Sequence, residues 1–346
     1  EASLLSRQLS DGTFPQAVLF AGPAYGGRLT IAMECARILS CEGDRSDTCP
    51  CRSCRDFNTY GMPNVVTVGN RDHWTHIEAA LELYARLGTE RARLQLVRAI
   101  RIMLLQYHGA LLESADSKNT AVFNAASAVD EALLTIDWDA QGTGKRVAQL
   151  LGGVLKPLRN LMKRSQALTI GQVRAMQEWT AQTSFCNSRR FIILEGIEQS
   201  TDGARNSLLK LLEEPPAHTY IMLISEYPSR LLATILSRVQ RHHIGRLSEE
   251  RKNRLLSDLY FIDGSAYESV EQFMLTSAGI PCVAIKESAK VLADASARAK
   301  SLARSELDVL GNELDEPVRL GYFLKEFEHA LRQQFLDGTL TPQRAS

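Results

Sequence analysis

Apolar positions along the chain fall into two alternating kinds of run. Short unbroken stretches, Ala17 to Ala21 (AVLFA), Asn64 to Val68 (NVVTV), Phe191 to Leu194 (FIIL) and Tyr220 to Ile224 (YIMLI), read as strands buried on both faces. Helical spacing appears between them, from Leu29 to Leu39, from Ile170 to Thr183 and from Gly203 to Glu214, where Pro215-Pro216 stops it. Strands alternating with helices predict an α/β fold, a parallel sheet with helices on both faces.

The pattern changes between about 70 and 165, where amphipathic helix dominates. Leu94, Val97, Ile100, Leu104, Tyr107 and Leu111 form one predicted stripe. Val147, Leu150, Leu151, Val154, Leu158 and Leu161 form another, with a kink expected at Pro157 and a loop before it from Asp137 to Gly144. Beyond about 246 the spacing is helical almost throughout, with breaks expected at Gly279-Ile-Pro281 and Asp315-Glu-Pro317.

Composition narrows the classes. A chain of 346 residues suits two or three domains. Lys+Arg and Asp+Glu are 40 each, so no overall field draws the protein to nucleic acid or membrane. A zinc-finger type of nucleic-acid binder therefore has no basic footprint to support it. No apolar run is long enough for a membrane span, and the first residues, EASLLSRQLSDGTF, lack the basic and apolar regions of an export signal. A cytosolic (cytoplasmic) protein is expected, and the missing initiator Met points to a trimmed chain. Five of the seven cysteines lie between Cys35 and Cys54, which in such a compartment points to metal more than to disulfides.

Two motifs carry chemistry. Residues 22–30 read GPAYGGRLT, between a strand and a helix, and Gly22 and Gly27 have the spacing of a phosphate-binding loop, G-x-x-x-x-G-K-[ST]. Arg28 stands where the compact Lys belongs, Leu29 where a hydroxyl holds Mg²⁺, and Thr30 comes one residue late. The strand that would carry a metal-binding Asp and a water-activating Glu ends instead in Glu195-Gly196. Two readings stay open: a relic loop, binding nucleotide inertly or not at all, and an ATPase using Arg28 and Glu195 in altered roles. A P-loop kinase with an inserted lid is disfavoured by the missing Lys and hydroxyl. The second motif is Cys41-x7-Cys49-x-Cys51-x2-Cys54, four thiolates within 14 residues, enough to close a structural Zn²⁺ site.

Farther along come NSLLKLLEEPP (206–216) and ATILSRVQ (233–240). With the degenerate loop and the four-cysteine module they resemble subunits of the bacterial DNA polymerase III clamp loader, gamma/tau and delta-prime, and their AAA+ relatives. Ser237-Arg238-Val239 is similar to the family's Ser-Arg-Cys motif, with Val in place of Cys. The resemblance implies that Arg238 is an arginine finger offered to ATP on a neighbouring subunit. It implies an AAA+ RecA-like domain over 1–246, holding a zinc module at about 35–60 and a helical insertion at about 70–165. A helical lid over 247–282 and a helical collar over 283–346 follow. Implied partners are the gamma/tau and delta subunits and the sliding clamp, with primed DNA reached through the assembly and no membrane. Loss of the loop's side chains with retention of Arg238 favours a non-catalytic delta-prime type, and a gamma/tau-like motor is the alternative. The resemblance assigns no role to the insertion.

Overall fold

The computed structural model describes residues 2–69, 71–111, 117–138, 143–161, 168–182, 189–297, 314 and 316–337. Five strands, β1 (Ala17–Ala21), β2 (Val65–Gly69), β3 (Arg190–Glu195), β4 (Thr219–Ser225) and β5 (Gln240–His243), form one all-parallel sheet in the order β2-β3-β4-β1-β5. The helices are α1 (Ala2–Ser10), α2 (Arg28–Ser40), α3 (Arg52–Asn58), α4 (His73–Leu87), α5 (Glu90–Leu104), α6 (Ser117–Thr135), α7 (Thr143–Leu161), α8 (Ile170–Ala181), α9 (Asp202–Glu213) and α10 (Ala233–Leu236). They continue with α11 (Glu249–Tyr260), α12 (Val270–Ser277), α13 (Cys282–Ala297) and α14 (Pro317–Leu336).

Successive side chains of a strand point to opposite faces, and here both faces are buried. Leu19, Val66, Ile192, Leu194, Ile221 and Leu223 meet α8 and α9 through Val173, Met176, Leu208, Leu211 and Leu212. Val18, Phe20, Val65, Phe191, Ile193, Met222 and Ile224 meet α1, α2 and α3 through Leu5, Leu9, Leu29, Met33, Leu39 and Phe57. The four strands expected from apolar runs are all present. β5 was not foreseen, because Gln-Arg-His-His carries no apolar signal. It is an edge strand, and His242 alone of its residues is buried.

The helical stretch between β2 and β3 has its own core. Ile77, Leu83 and Tyr84 of α4 pack with Leu96, Ile100 and Met103 of α5, Val129 and Leu133 of α6, and Leu151, Leu155 and Leu158 of α7. The two predicted stripes were partly out of phase. On α5 the buried line is Ala92, Leu96, Ile100 and Met103, with Leu94 and Val97 only half-buried. That helix stops at Leu104, and 3-10 turns follow at Leu105–Tyr107 and Gly109–Leu111. On α7, Leu155 belongs to the core while Leu150 and Leu161 face solvent. Several apolar residues on each helix exceed what one core face can bury, so spacing alone did not fix the phase. α7 runs on through Pro157. The loop expected at Asp137 to Gly144 lies partly outside the described residues.

The chain divides into two compact units, Glu1–Ala266 and Tyr267–Ser346. α11 belongs to the first, where Arg91 of α5 donates to the Asp258 carbonyl at 3.1 Å. In the second, Leu275, Ile280, Ile285 and Ala289 pack with Tyr322 and Phe323. Gly279, at φ +83°, separates α12 from α13 as expected, and Pro317 opens α14; Asp315 of the second expected break lies outside the described residues. No helix of the described residues is long and apolar enough to cross a membrane.

The phase of α7 is testable by paired truncations. Leu151→Ala removes a fully buried side chain and should cost about 2–5 kcal/mol in urea unfolding, whereas Leu150→Ala, at 54% exposure, should cost about 0.5 kcal/mol or less. Equal costs would mean that the helix is turned differently.

Candidate functional site

The glycine-rich loop sits between β1 and α2. Gly22 has φ +157°, and a Cβ there would lie 2.1 Å from the Ile244 carbonyl oxygen, so only glycine lets the chain after β5 pass so close. Gly27 caps α2 in the left-handed region at φ +84°. Leu29 is buried in the sheet core, and Thr30, the next residue round the helix, is exposed. Leu29, packed into the sheet core, brings no hydroxyl to the position where Mg²⁺ would be held.

Acidic and basic side chains of the chain itself gather round this loop. The Ala24 N–H donates to Glu226 Oε1 at 3.2 Å, immediately after β4. Glu195, at the end of β3, accepts from Arg71 Nε at 2.8 Å and Nη2 at 2.6 Å, a bidentate pair in which the Glu195 side chain is 10% exposed. Arg28 lies in the field of Glu226, Glu195, Arg71 and Glu198, and its pKa is lowered, chiefly by burial. Gly196, in the left-handed region at φ +65°, offers no side chain for water activation. Arg71 precedes α4, and the Tyr25 ring of the loop stacks on His76 of α4 with centroids 5.5 Å apart. The helical stretch thus places its first residues over the loop. Sequence reasoning missed Arg71 and Glu226, since neither belongs to a recognisable spacing.

The four cysteines come together at the far end of α2. Cys41 is the C-cap of α2, Cys51 the N-cap of α3, and Cys54 lies within α3. Their sulfurs all lie within 4.8 Å of one another. Cys41 and Cys49 are 3.6 Å apart and Cys41 and Cys51 are 4.0 Å apart, with no disulfide among them. Four sulfurs about 2.3 Å from a tetrahedral Zn²⁺ would be about 3.8 Å from each other, so the donor set fits a zinc ion in number, type and spacing. A Cβ on Gly43 would come 2.7 Å from Cys49 Sγ, which explains a glycine at that bend.

Backbone N–H groups face the sulfurs, as they do where thiolates bind metal. Gly43 N–H donates to Cys41 Sγ at 3.3 Å and Cys54 N–H to Cys51 Sγ at 3.4 Å. Hydrogen bonds from the backbone of Cys54 and Glu42 lower the Cys51 thiol to about 6, while burial pushes Cys54 up to about 12. Cys35 is buried in the sheet core and stands apart from the group, and burial pushes its thiol up to about 12. A metal ion held by these four sulfurs would be saturated and would have no open position for catalysis.

Arg238 follows α10. Its Nε and Nη2 reach Glu213 Oε1 at 2.9 and 2.5 Å, and Nη1 reaches the Thr234 carbonyl at 2.7 Å. Its side chain is 31% exposed. Glu213 is the last residue of α9, so this pair joins the two late motifs of the sequence. Val239, in the place of the motif's Cys, is buried in the core.

A parallel sheet ordered β5-β1-β4-β3-β2, with a glycine-rich loop between β1, the strand next to the β5 edge, and α2, fits an AAA+ RecA-like domain. The family described as DNA polymerase III, delta subunit, matches residues 1–248, and the chain belongs to that family. It is 40% identical over 81 residues to the DNA polymerase III subunit delta' of Haemophilus influenzae, covering 23% of this chain and 25% of that one. It is 45% identical over 69 residues to the subunit delta' of Bacillus subtilis, covering 20% and 21%. Similarity to the Bacillus subtilis subunit tau, 38% over 58 residues, covers 17% and 10%. The matched segments span about a quarter of the length of the delta' relatives.

Packing of the helical stretch over the loop has a pH signature. His73 of α4 is buried, with Gln106 Nε2 2.6 Å from its Nε2, and burial together with the nearby Arg71 pushes its pKa from 6.5 to about 3. The unfolded chain takes up a proton that the folded chain refuses. Stability from this group is therefore complete above pH 6.5 and falls as the pH drops toward 3. Between pH 7.5 and 5.0 the wild type should lose about 2 kcal/mol more than His73→Gln in urea unfolding. Parallel losses in the two proteins would contradict the neutral, buried His73.

Proposed function

We propose that the chain is a non-catalytic, delta-prime-type subunit of the bacterial DNA polymerase III clamp loader. In this reading it lends Arg238 to ATP held by a neighbouring subunit while the assembly opens the sliding clamp and places it on primed DNA. The observation that carries the reading is the filled phosphate loop. Arg71 takes up Glu195, Glu226 occupies the Ala24 N–H, and Leu29 is turned into the core. Leu29 and Gly196 supply no group to hold Mg²⁺ or polarise water, and Glu195 is already paired. The surviving glycines, with Arg28 and Thr30, keep the loop's shape and not its chemistry.

Arg238 suits the role in trans. It is part-exposed at the end of α10, held by neighbours that leave it on the surface, and a guanidinium delivered there stabilises charge on a transferring phosphoryl group. Cys41, Cys49, Cys51 and Cys54 hold one structural Zn²⁺, which ties the end of α2 to α3. The partners are the gamma/tau and delta subunits, the clamp, and DNA through the assembly, all in the cytoplasm. Residues 247–282 act as the helical lid and 283–346 as the collar that joins the ring. The alternative, a gamma/tau-like motor, has the short match to tau in its favour, and the paired Glu195 and buried Leu29 against it.

Two experiments test this. Metal analysis of the purified chain should give about one zinc per chain, lost with unfolding on strong chelation; a folded, zinc-free chain would refute the metal site. In an assembly reconstituted with gamma/tau and delta, Arg238→Ala should leave assembly intact and lower DNA-stimulated ATP hydrolysis by about 10³-fold or more at the site it serves. Failure of the wild type to join that assembly, or an unchanged rate in the variant, would contradict the function.

A further inference from the structure

Arg37 is a buried arginine, its side chain 6% exposed, on the helix that leads into the cysteine group. Its guanidinium has five N–H groups, and each has an acceptor. Nε donates to Glu34 at 2.9 Å; Nη2 donates to Glu34 Oε1 at 2.6 Å and to the Arg45 carbonyl at 3.1 Å. Nη1 donates to the Ser46 carbonyl at 2.8 Å and to Cys54 Sγ at 3.1 Å. One side chain therefore grips three separate parts of the module: its own helix, the loop between Cys41 and Cys49, and the sulfur of Cys54 on α3.

Charge favours the same contact. Four thiolates around Zn²⁺ carry a net charge of −2, and burying that charge needs a nearby cation or donors. Arg37 Nη1 donates directly to a sulfur of the group, Cys54 Sγ. Glu34, its carboxylate partner, is half-exposed and partly screened by water, so the cation is not cancelled where it faces the sulfur. The i, i+3 spacing of Glu34 and Arg37 on α2 is legible in the sequence, but as an ordinary surface pair. Burial and the contact with Cys54 give it a different meaning.

We propose that Arg37 is a positioning residue of the metal site, fixing Cys54 as a ligand and supplying the positive charge that a four-thiolate zinc centre requires. This rests on the zinc reading above. The full chain is the test object, as wild type, Arg37→Met and Arg37→Lys, each loaded with Zn²⁺ or with Co²⁺ as a spectroscopic substitute. A thiolate that loses a hydrogen-bond donor has higher-lying lone pairs. The sulfur-to-cobalt charge-transfer band of Arg37→Met should therefore move to longer wavelength, a change that loosened packing alone would not produce. Transfer of zinc to a chromophoric chelator should be roughly 10–100-fold faster than in wild type. Arg37→Lys, which keeps the charge and loses the fork, should fall between the two.

An unchanged band and an unchanged release rate in Arg37→Met would overturn the proposal. Should that variant fail to fold, the same two readings on Arg37→Lys decide, and wild-type values there would overturn it equally. A wild-type chain that takes up neither zinc nor cobalt would end the zinc reading itself and the proposal with it. Metal-loaded wild type with indifferent variants would end the proposal alone.

Discussion

A five-stranded parallel sheet must be covered on both faces, because its strands carry apolar side chains above and below. The helices packed on the sheet answer that demand. α8 and α9 close one face; α1, α2 and α3 close the other. Covering the second face fixes α2 along its length, and α2 then carries both chemical features of the chain: the glycine-rich loop at its start and the cysteine group at its end. Leu29 shows the coupling well. A residue that would hold Mg²⁺ in an ATPase is here one more contact of α2 with the sheet.

The glycine-rich loop has the glycine spacing of a phosphate loop and is met by charged side chains of the chain itself. In an active site the anions come with the nucleotide and the cation with Mg²⁺. In this chain Glu226 meets a loop N–H and Arg71 meets the acid at the end of β3. A bidentate pair with Glu195 at 10% exposure is costly to break, since Glu195 without Arg71 would be a nearly buried charge. Arg71 comes from the entry to the helical stretch between β2 and β3, whose own core of α4 to α7 gives it a fixed base. The stretch thus has a structural connection to the loop that its sequence did not announce.

What was legible in the sequence followed the strength of each local signal. Four strands were visible because buried parallel strands are unbroken apolar runs, whereas β5 was not, because a polar edge strand is placed by pairing with β1. The cysteine group was visible because four thiols lay within 14 residues, and the structure brings those same four sulfurs together. Gly22, Gly27 and Leu29 were readable because a phosphate loop has fixed spacing. Arg37, Arg71, Glu213 and Glu226 were not, since each acts through a partner that only folding supplies. The stripes of α5 and α7 were half right: amphipathic spacing gave the helices, but Leu155 and not Leu150 proved to be core.

The most direct test of a dismantled ATPase is turnover by the isolated full chain with ATP and Mg²⁺. The account predicts no hydrolysis above a protein-free blank, and the same null result for Glu195→Gln. Hydrolysis by the wild type that Glu195→Gln abolishes would contradict it, because it would show that Glu195 leaves Arg71 to serve a working site.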